Sequence, residues 1–128
     1  MTIKDVSKKF GISADVLRYY ERAGMIPPVS RTAGGIRDYQ DEDLRWVELA
    51  LCMRSAGLPV EVISEYVRLA QSGEGTIPDR LALLRKQQEI LSEQQRQIGM
   101  TLDRLNHKIT VYEKALKTGR LNWEKEEN

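Results

Sequence analysis

The residues of this sequence best suited to chemistry are hydrogen-bond donors on one short predicted helix. Arg18 and Tyr19 project away from the apolar face that Val16, Leu17 and Tyr20 form at helical spacing. An arginine presents two parallel donors to the edge of a guanine base, and a tyrosine presents a flat ring with a hydroxyl group. We therefore predict contacts to double-stranded DNA from Arg18 and Tyr19. The alternative is that both tyrosines are core aromatics and the arginine is a solvated charge.

These donors need a scaffold that presents their helix. A capping-box pattern begins a first helix at Thr2 and Gly11 ends it, whereas Ser13 can cap a second helix that ends at Gly24. Two short helices with so brief a connection have the proportions of a helix-turn-helix. Lys4 and Ser13 lie at helix beginnings, where side chains and free amides can meet phosphates, so both are predicted DNA contacts.

The segment after the second helix changes character. Prolines and paired glycines interrupt it, and the runs 29–31 and 36–39 predict two small strands around a turn at Gly34 and Gly35. Such a hairpin beside a helix-turn-helix forms a wing. We therefore predict a mainly α fold whose N-terminal domain is a winged helix-turn-helix with a small β-hairpin.

Two further helices complete this domain. The third is predicted from Asp41, which caps it, to Gly57, and Pro59 suits the first turn of a fourth. The predicted winged helix-turn-helix domain therefore spans residues 1–73, and a linker follows at residues 74–77.

A long heptad pattern occupies residues 78–118, where the only glycine is Gly99. One helix of this length extends about 60 Å. Its a and d positions are Leu81, Leu84, Gln88, Leu91, Gln95, Ile98, Leu102, Leu105, Ile109, Tyr112 and Leu116. The two glutamines are expected to fix register at some cost in stability. So long an apolar stripe predicts pairing with a second copy in a homodimer; the alternative is a helix folded back on its own domain.

Composition excludes several protein classes. The net charge of the 128 residues is only +1, but basic residues outnumber acidic ones near the N-terminus, which favours phosphate contact there. No apolar run is long enough for a membrane span and no signal-peptide pattern is present, so we expect a cytoplasmic protein. Because Cys52 is the single cysteine, we expect no intramolecular disulfide, no metal site and no cofactor.

An enzymatic role has little support. Cys52 and His107 could form a nucleophile pair by residue type, but His107 occupies heptad position f, where we expect a solvated side chain. Residues 73–75 lack the strand and the glycines of a phosphate-binding loop. We predict that the chain is not an enzyme.

Several short motifs follow one another from the second helix onward. They are Leu17-Arg-Tyr-Tyr-Glu-Arg-Ala-Gly24, Met25-Ile-Pro-Pro28, Arg31, Gly34-Gly-Ile-Arg-Asp-Tyr39 and Asp43-Leu44. In this order they resemble the MerR family of bacterial regulators, and the heptad helix occupies the place of that family's dimerisation helix. The resemblance implies a dimer joined by an antiparallel coiled coil. It also implies a pseudo-palindromic operator in a promoter with an overlong spacer, and activation with bacterial RNA polymerase by bending and untwisting that DNA.

The same resemblance implies roles for individual residues. In the wing, Arg37 and Tyr39 would contact the DNA backbone, and Arg54 would contact a phosphate from a second wing. A positive group near a hairpin or a helix end can bind a phosphate and hold a bend, which supports both arginines. The second helix would contribute Arg18, Tyr19 and Tyr20.

The role of Cys52 has two interpretations. The residue lies on a polar stripe of the third helix, which favours an accessible thiol over a small buried one without a signalling role. The stretches 52–59, 106–109 and 112–113 are similar to the short NmlR/AdhR branch, which responds to aldehydes or nitrosative stress through one cysteine. The resemblance therefore implies that Cys52 is a sensor.

Two other functions remain open on the sequence. One is an architectural DNA-binding dimer without signal sensing, and the other is a coiled-coil adaptor that docks through its basic module. Only a tail at residues 119–128 follows the long helix, so we expect no large C-terminal ligand domain. The sequence gives no reason to choose between a cap and disorder for Trp123.

Overall fold

The computed structural model describes residues 1–123, which are mainly helical. These are α1 (Ile3–Phe10), α2 (Ala14–Arg22), α3 (Asp41–Ser55), α4 (Val60–Gln71) and α5 (Ile77–Thr118), with a 3-10 turn (Glu74–Thr76) before α5. The mainly α fold with a long C-terminal helix is confirmed. The chain divides into two compact units, one at Met1–Gln87 and one from Gln88 onward.

The ends of α1 and α2 follow from local hydrogen bonds. The Thr2 hydroxyl oxygen accepts from the Asp5 amide at 3.1 Å, and the Asp5 carboxylate accepts from the Thr2 amide in return. Gly11 ends α1 in the left-handed conformation, with a φ of 68°. Ser13 begins α2, its hydroxyl oxygen accepting from the Val16 amide at 3.1 Å. The two helices predicted from these caps are confirmed.

Apolar side chains from α1 to α4 and from the segments that join α2 to α3 and α3 to α4 form the core of the first unit. They are Val6, Leu17, Tyr20, Met25, Ile26, Val29, Tyr39, Val47, Ala50, Leu58, Ile63 and Val67. The rings of Trp46 on α3 and Tyr66 on α4 pack with their centroids 6.3 Å apart. Because α2 buries Leu17 and Tyr20, its opposite edge is left at the surface.

The wing, residues 29–39, is less regular than predicted. Its arms meet at one isolated β-bridge between Arg31 and Arg37, and no β-strand forms within the described residues. The prediction of two strands is wrong because neighbouring backbone groups bond elsewhere. The Ser30 amide donates to the carboxylate of Asp43 on α3 at 3.4 Å, and the Ile36 amide donates to the Thr32 hydroxyl oxygen at 3.2 Å, so neither extends the pairing beyond the bridge.

The segment predicted as a linker is an ordered turn. The Thr76 hydroxyl donates to the Leu69 carbonyl at 2.6 Å, and Nε of Arg80 donates to the Thr76 hydroxyl oxygen at 3.1 Å. A terminal nitrogen of Arg80 also donates to the Gly73 carbonyl at 3.2 Å. One arginine therefore ties the end of α4, the turn and the first turn of α5 together.

A turn after α5 packs back onto that helix. Gly119 ends α5 with a φ of 76°, its amide donating to the Ala115 carbonyl at 2.7 Å. The Trp123 ring meets the Tyr112 ring edge-on at 5.8 Å, and Nζ of Lys108 lies 4.7 Å from the centre of the same indole. Trp123 therefore has a defined place on α5. Residues 124–128 of the predicted tail lie outside the described part of the chain.

His107 differs from the solvated side chain predicted at heptad position f. Its Nε2 atom is buried and has no hydrogen-bond partner among residues 1–123. Val111, one helical turn further on, is also buried. His107 is therefore half-buried rather than solvated as predicted.

Candidate nucleic-acid interface

The outer edge of α2 carries the two residues predicted to read DNA. Arg18 and Tyr19 are both exposed. A terminal nitrogen of Arg18 donates to Asp15 at 2.9 Å, and the guanidinium of Arg22 lies 5.6 Å from the centre of the Tyr19 ring. An exposed ion pair of this kind contributes little to stability, so Arg18 can exchange Asp15 for a base or a phosphate at small cost.

Two more predicted contacts flank this edge. Ser13 uses its hydroxyl oxygen to accept from the Val16 amide, which leaves its own O–H free to donate to a phosphate. Lys4 is exposed in the first turn of α1. The positive end of the α2 dipole lies at Ser13 and adds to the attraction for an anion there.

The structure contradicts two of the predicted contacts. Tyr20 is only 8% exposed, because its position on α2 places it on the same inward face as Leu17. Tyr39 is 2% exposed, and its hydroxyl has no partner within the described residues. Burial accordingly raises the pKa of Tyr39 above its ordinary value. Both rings belong to the core rather than to the exposed edge that was predicted to contact DNA.

Glu21 is the functional candidate that the sequence predictions missed. Its carboxylate accepts from Nε of Arg37 at 2.7 Å and from the Val29 amide at 2.8 Å. Burial alone would raise the pKa of Glu21, but these hydrogen bonds and the charges of Arg37 and Arg31 hold it below its ordinary value. Arg37, predicted as a contact from the wing to the DNA backbone, is thus already engaged inside the chain. No local sequence rule pairs side chains this far apart.

Arg54 lies where α3 ends and has a structural bond of its own. One terminal nitrogen donates to the Leu58 carbonyl at 2.8 Å, which closes the turn into α4. The residue is nevertheless exposed, and a guanidinium has further donors. A phosphate contact from Arg54 therefore remains a prediction that the geometry permits.

Cys52 is exposed on α3. Its backbone carbonyl accepts from the Ser55 hydroxyl at 2.9 Å, so the thiol lies in an intact helical turn. The exposure favours the predicted accessible thiol over a small buried one.

The heptad stripe of α5 is uncovered in the single chain. Ile98 is 68% exposed and Leu116 is 87% exposed, and the intervening a and d side chains are also open to solvent. Near the end of the helix, Ile109, Tyr112 and Leu121 line an apolar groove. Within the described residues these a and d side chains therefore form a continuous exposed apolar surface.

Two family models match the chain, and together they cover both the helix-turn-helix and most of α5. The model described as MerR HTH family regulatory protein matches residues 1–70, and the model described as MerR, DNA binding matches residues 44–108. The chain belongs to the MerR family. It is therefore a DNA-binding transcriptional regulator and not an enzyme, and the adaptor alternative, which predicted no DNA binding, is wrong.

Individual relatives agree with this assignment. The chain is 47% identical over 93 residues to the HTH-type transcriptional regulator AdhR of Bacillus subtilis, an alignment that covers 73% of this chain and 66% of that relative. A crystal structure of a MerR family transcriptional regulator from Listeria monocytogenes has a TM-score of 0.88 and 42% identity, and covers 93% of this chain and 90% of its own.

A third relative was solved on DNA. HiNmlR, a MerR family regulator lacking the sensor domain, was crystallised bound to promoter DNA; it has a TM-score of 0.83 and 33% identity, covering 92% of this chain and 94% of its own. The resemblance to the MerR family and to its NmlR/AdhR branch is confirmed. No helix within residues 1–123 has the length and apolarity needed to cross a membrane.

Proposed function

We propose that this MerR family protein is a homodimer that binds a pseudo-palindromic promoter operator and activates transcription by bending and untwisting the DNA. The observation that carries the proposal is the exposed edge of α2, where Arg18 and Tyr19 lie at the surface of a helix-turn-helix. A recognition helix of this motif enters the major groove, where an arginine can read guanine with two parallel hydrogen bonds.

The uncovered stripe of α5 supports the homodimer. Burial of one leucine or isoleucine side chain favours association by about 1.5 to 3 kcal/mol. The stripe offers several such residues, among them Ile98, Leu102 and Leu105, each about half exposed or more. Two identical stripes pair most simply about a two-fold axis, and a two-fold protein matches a two-fold operator.

Phosphate contacts from several elements would hold the DNA in the proposed bent form. Lys4, Arg54 and the wing lie on different elements of the first unit, so they offer several points at which phosphates can be held. Bending a duplex of operator length costs several kcal/mol, which multiple phosphate contacts can offset. RNA polymerase at the promoter is the partner that a changed DNA shape would serve.

Cys52 is the proposed sensor of aldehydes or other electrophiles. A thiolate adds to the carbonyl carbon of an aldehyde, the carbonyl oxygen takes a proton from water, and a hemithioacetal forms without an oxidant. The exposure of Cys52 on α3 makes this addition sterically possible. An adduct on α3 would alter the helix that lies between the wing and α4.

DNase footprinting on the DNA upstream of the chain's own coding region tests the regulator. We expect protection centred between promoter elements, changed when formaldehyde or methylglyoxal is added. Protection without sequence preference would instead support the architectural alternative. Full induction of a reporter by aldehyde in a Cys52→Ser strain would remove the thiol from the mechanism.

The contact from α2 is tested by Arg18→Ala. Loss of a bidentate base contact should weaken operator binding by about 5- to 150-fold at fixed salt. Arg96→Ala is the matched control, because Arg96 also pairs with an exposed carboxylate three residues away, Glu93, but lies on α5. Equal affinity of both variants would contradict the assignment.

A further inference from the structure

We propose that Glu21 is a positioning residue for DNA binding, whose carboxylate holds the wing in a fixed place against α2. We call Glu21 with Arg31 and Arg37 the carboxylate brace. The inference rests on the proposed DNA contacts of α2 and the wing, because it concerns how the two are aligned with each other.

The brace joins α2 to the wing at two points. One oxygen of Glu21 accepts from Nε of Arg37 at 2.7 Å, and the other accepts from the Val29 amide at 2.8 Å. The Glu21 side chain is only 13% exposed, so these charge-assisted bonds lie largely out of water. Both arms of the wing are thereby tied to one side chain of the proposed recognition helix.

The brace also extends to the tip of the wing. A terminal nitrogen of Arg31 lies 3.9 Å from the carboxylate of Glu21, while its other terminal nitrogen donates to the Gly35 carbonyl at 2.9 Å. A continuous series of polar contacts therefore runs from α2 through Arg31 to the wing turn.

The charges of the wing explain why a carboxylate is needed. Arg31 and Arg37 face each other across the one β-bridge of the wing, and like charges in directly opposed positions destabilise such a pairing. Glu21 lies close to both guanidinium groups and compensates them. Without it, the repulsion would spread the arms of the wing.

The two arginines consequently have different roles. Arg37 is 24% exposed and is committed to Glu21, whereas Arg31 is 45% exposed and makes the longer ion pair. Arg31 is therefore the wing cation that can meet a phosphate, and Arg37 is a second positioning residue. Glu21 lies three residues after Arg18 on α2, so the brace fixes the wing relative to the reading edge.

The charge of Glu21 gives a test with opposite signs. Glu21→Gln removes one negative charge, which by electrostatics alone should strengthen binding to any duplex. The brace predicts instead that affinity for the footprinted upstream duplex falls, so that the ratio of specific to non-specific binding drops about tenfold or more. The comparison duplex has the same length and random sequence, and salt is held constant.

Glu65→Gln is the matched control. Glu65 also pairs with an arginine, Arg68, and its removal changes the net charge equally, but it lies on α4 outside the proposed interface. Its specificity ratio should equal that of the wild type. Arg37→Gln should reproduce the loss, and the double variant Glu21→Gln with Arg37→Gln should lose no more than either single change. Additive losses, or a ratio unchanged in Glu21→Gln, would overturn the proposal.

A measurement without DNA separates the brace from the proposed function. The Nε–H proton of Arg37 should exchange slowly with water in NMR spectra of the wild type and rapidly in Glu21→Gln, with circular dichroism reporting that the helices remain. Fast exchange in the wild type would refute the brace even if the operator is bound. A protected proton in a wild type that binds no operator would refute the function alone.

Discussion

The two compact units of the chain differ in how far their apolar side chains are buried. In the first unit, Val6, Leu17 and Val47 are fully buried, whereas in the second the stripe that includes Ile98 and Leu102 is open to water. Both sets are apolar and both lie on helices with regular spacing. The first unit therefore has its own core, whereas the apolar stripe of α5 is an exposed surface within the described residues.

A core substitution in the first unit tests whether that unit is stabilised by its own buried side chains. Leu17→Ala removes a fully buried side chain from α2, and we expect the free energy of unfolding to fall by about 2 to 5 kcal/mol. Ile36→Ala in the wing is the control, because Ile36 is largely exposed and its removal leaves no cavity. Urea denaturation measures both. The loss for Leu17→Ala should not depend on protein concentration, and a loss as small as that of the control would contradict a self-sufficient core.

A charge in the α5 stripe tests whether that surface joins two copies of the chain. Leu102→Glu loses its apolar burial in both copies of the proposed dimer, so we expect dimerisation to weaken at least about 100-fold. Sedimentation velocity should show a monomer at micromolar concentration, with helices retained. Thr110→Glu lies at an outward position of the same heptads and should remain dimeric. If Leu102→Glu also stayed dimeric, another surface would have to join the copies.

A smaller effect is expected from the ionisation of Glu21 in the first unit. The pKa of Glu21 lies below its ordinary value in the folded chain, so ionised Glu21 stabilises the fold at neutral pH. This contribution is complete above the unfolded carboxylate pKa of about 4.3 and is lost as pH falls through the lower folded pKa. The stability difference between wild type and Glu21→Gln should therefore shrink on acidification below about pH 4.

Salt distinguishes this carboxylate from an exposed one. The pKa of Glu65 is also lowered, by its hydrogen bond from Arg68, but the pair is exposed. Added salt should abolish the pH-dependent contribution of Glu65 and leave most of that of Glu21. Thermal unfolding of both variants at several pH values and two salt concentrations measures this. Equal salt sensitivity would contradict the partly buried position of Glu21.

Local chemistry explains which parts of the fold could be predicted. The capping residues Thr2 and Ser13 and the stop at Gly11 act within a few positions, so the helix-turn-helix was visible in the sequence. The heptads gave α5 to within one residue of its start, because spacing along one helix needs no tertiary information. The exposure of Arg18 and Tyr19 followed from the same periodicity.

Long-range bonds explain what could not be predicted. The predicted wing strands did not form because the Ser30 amide, which a longer ladder would need, bonds to Asp43 on α3, a partner that no local pattern indicates. The DNA contact predicted for Tyr39 rested on motif position alone, whereas packing buries the ring. Tyr20 was different, since its place on the apolar face of α2 already pointed to the core. For that residue, helical spacing was a better guide than the resemblance.

The turn at Gly119 has a spectroscopic consequence. The chain has two tryptophans, and each unit contains one: Trp46 beside Tyr66 in the first, and Trp123 against Tyr112 in the second. Tyr112 belongs to the exposed stripe, so pairing of two copies would change the surroundings of the Trp123 indole. Intrinsic fluorescence of Trp46→Phe and Trp123→Phe can thus follow subunit association and unfolding of the DNA-binding unit as separate emission signals, without an added dye.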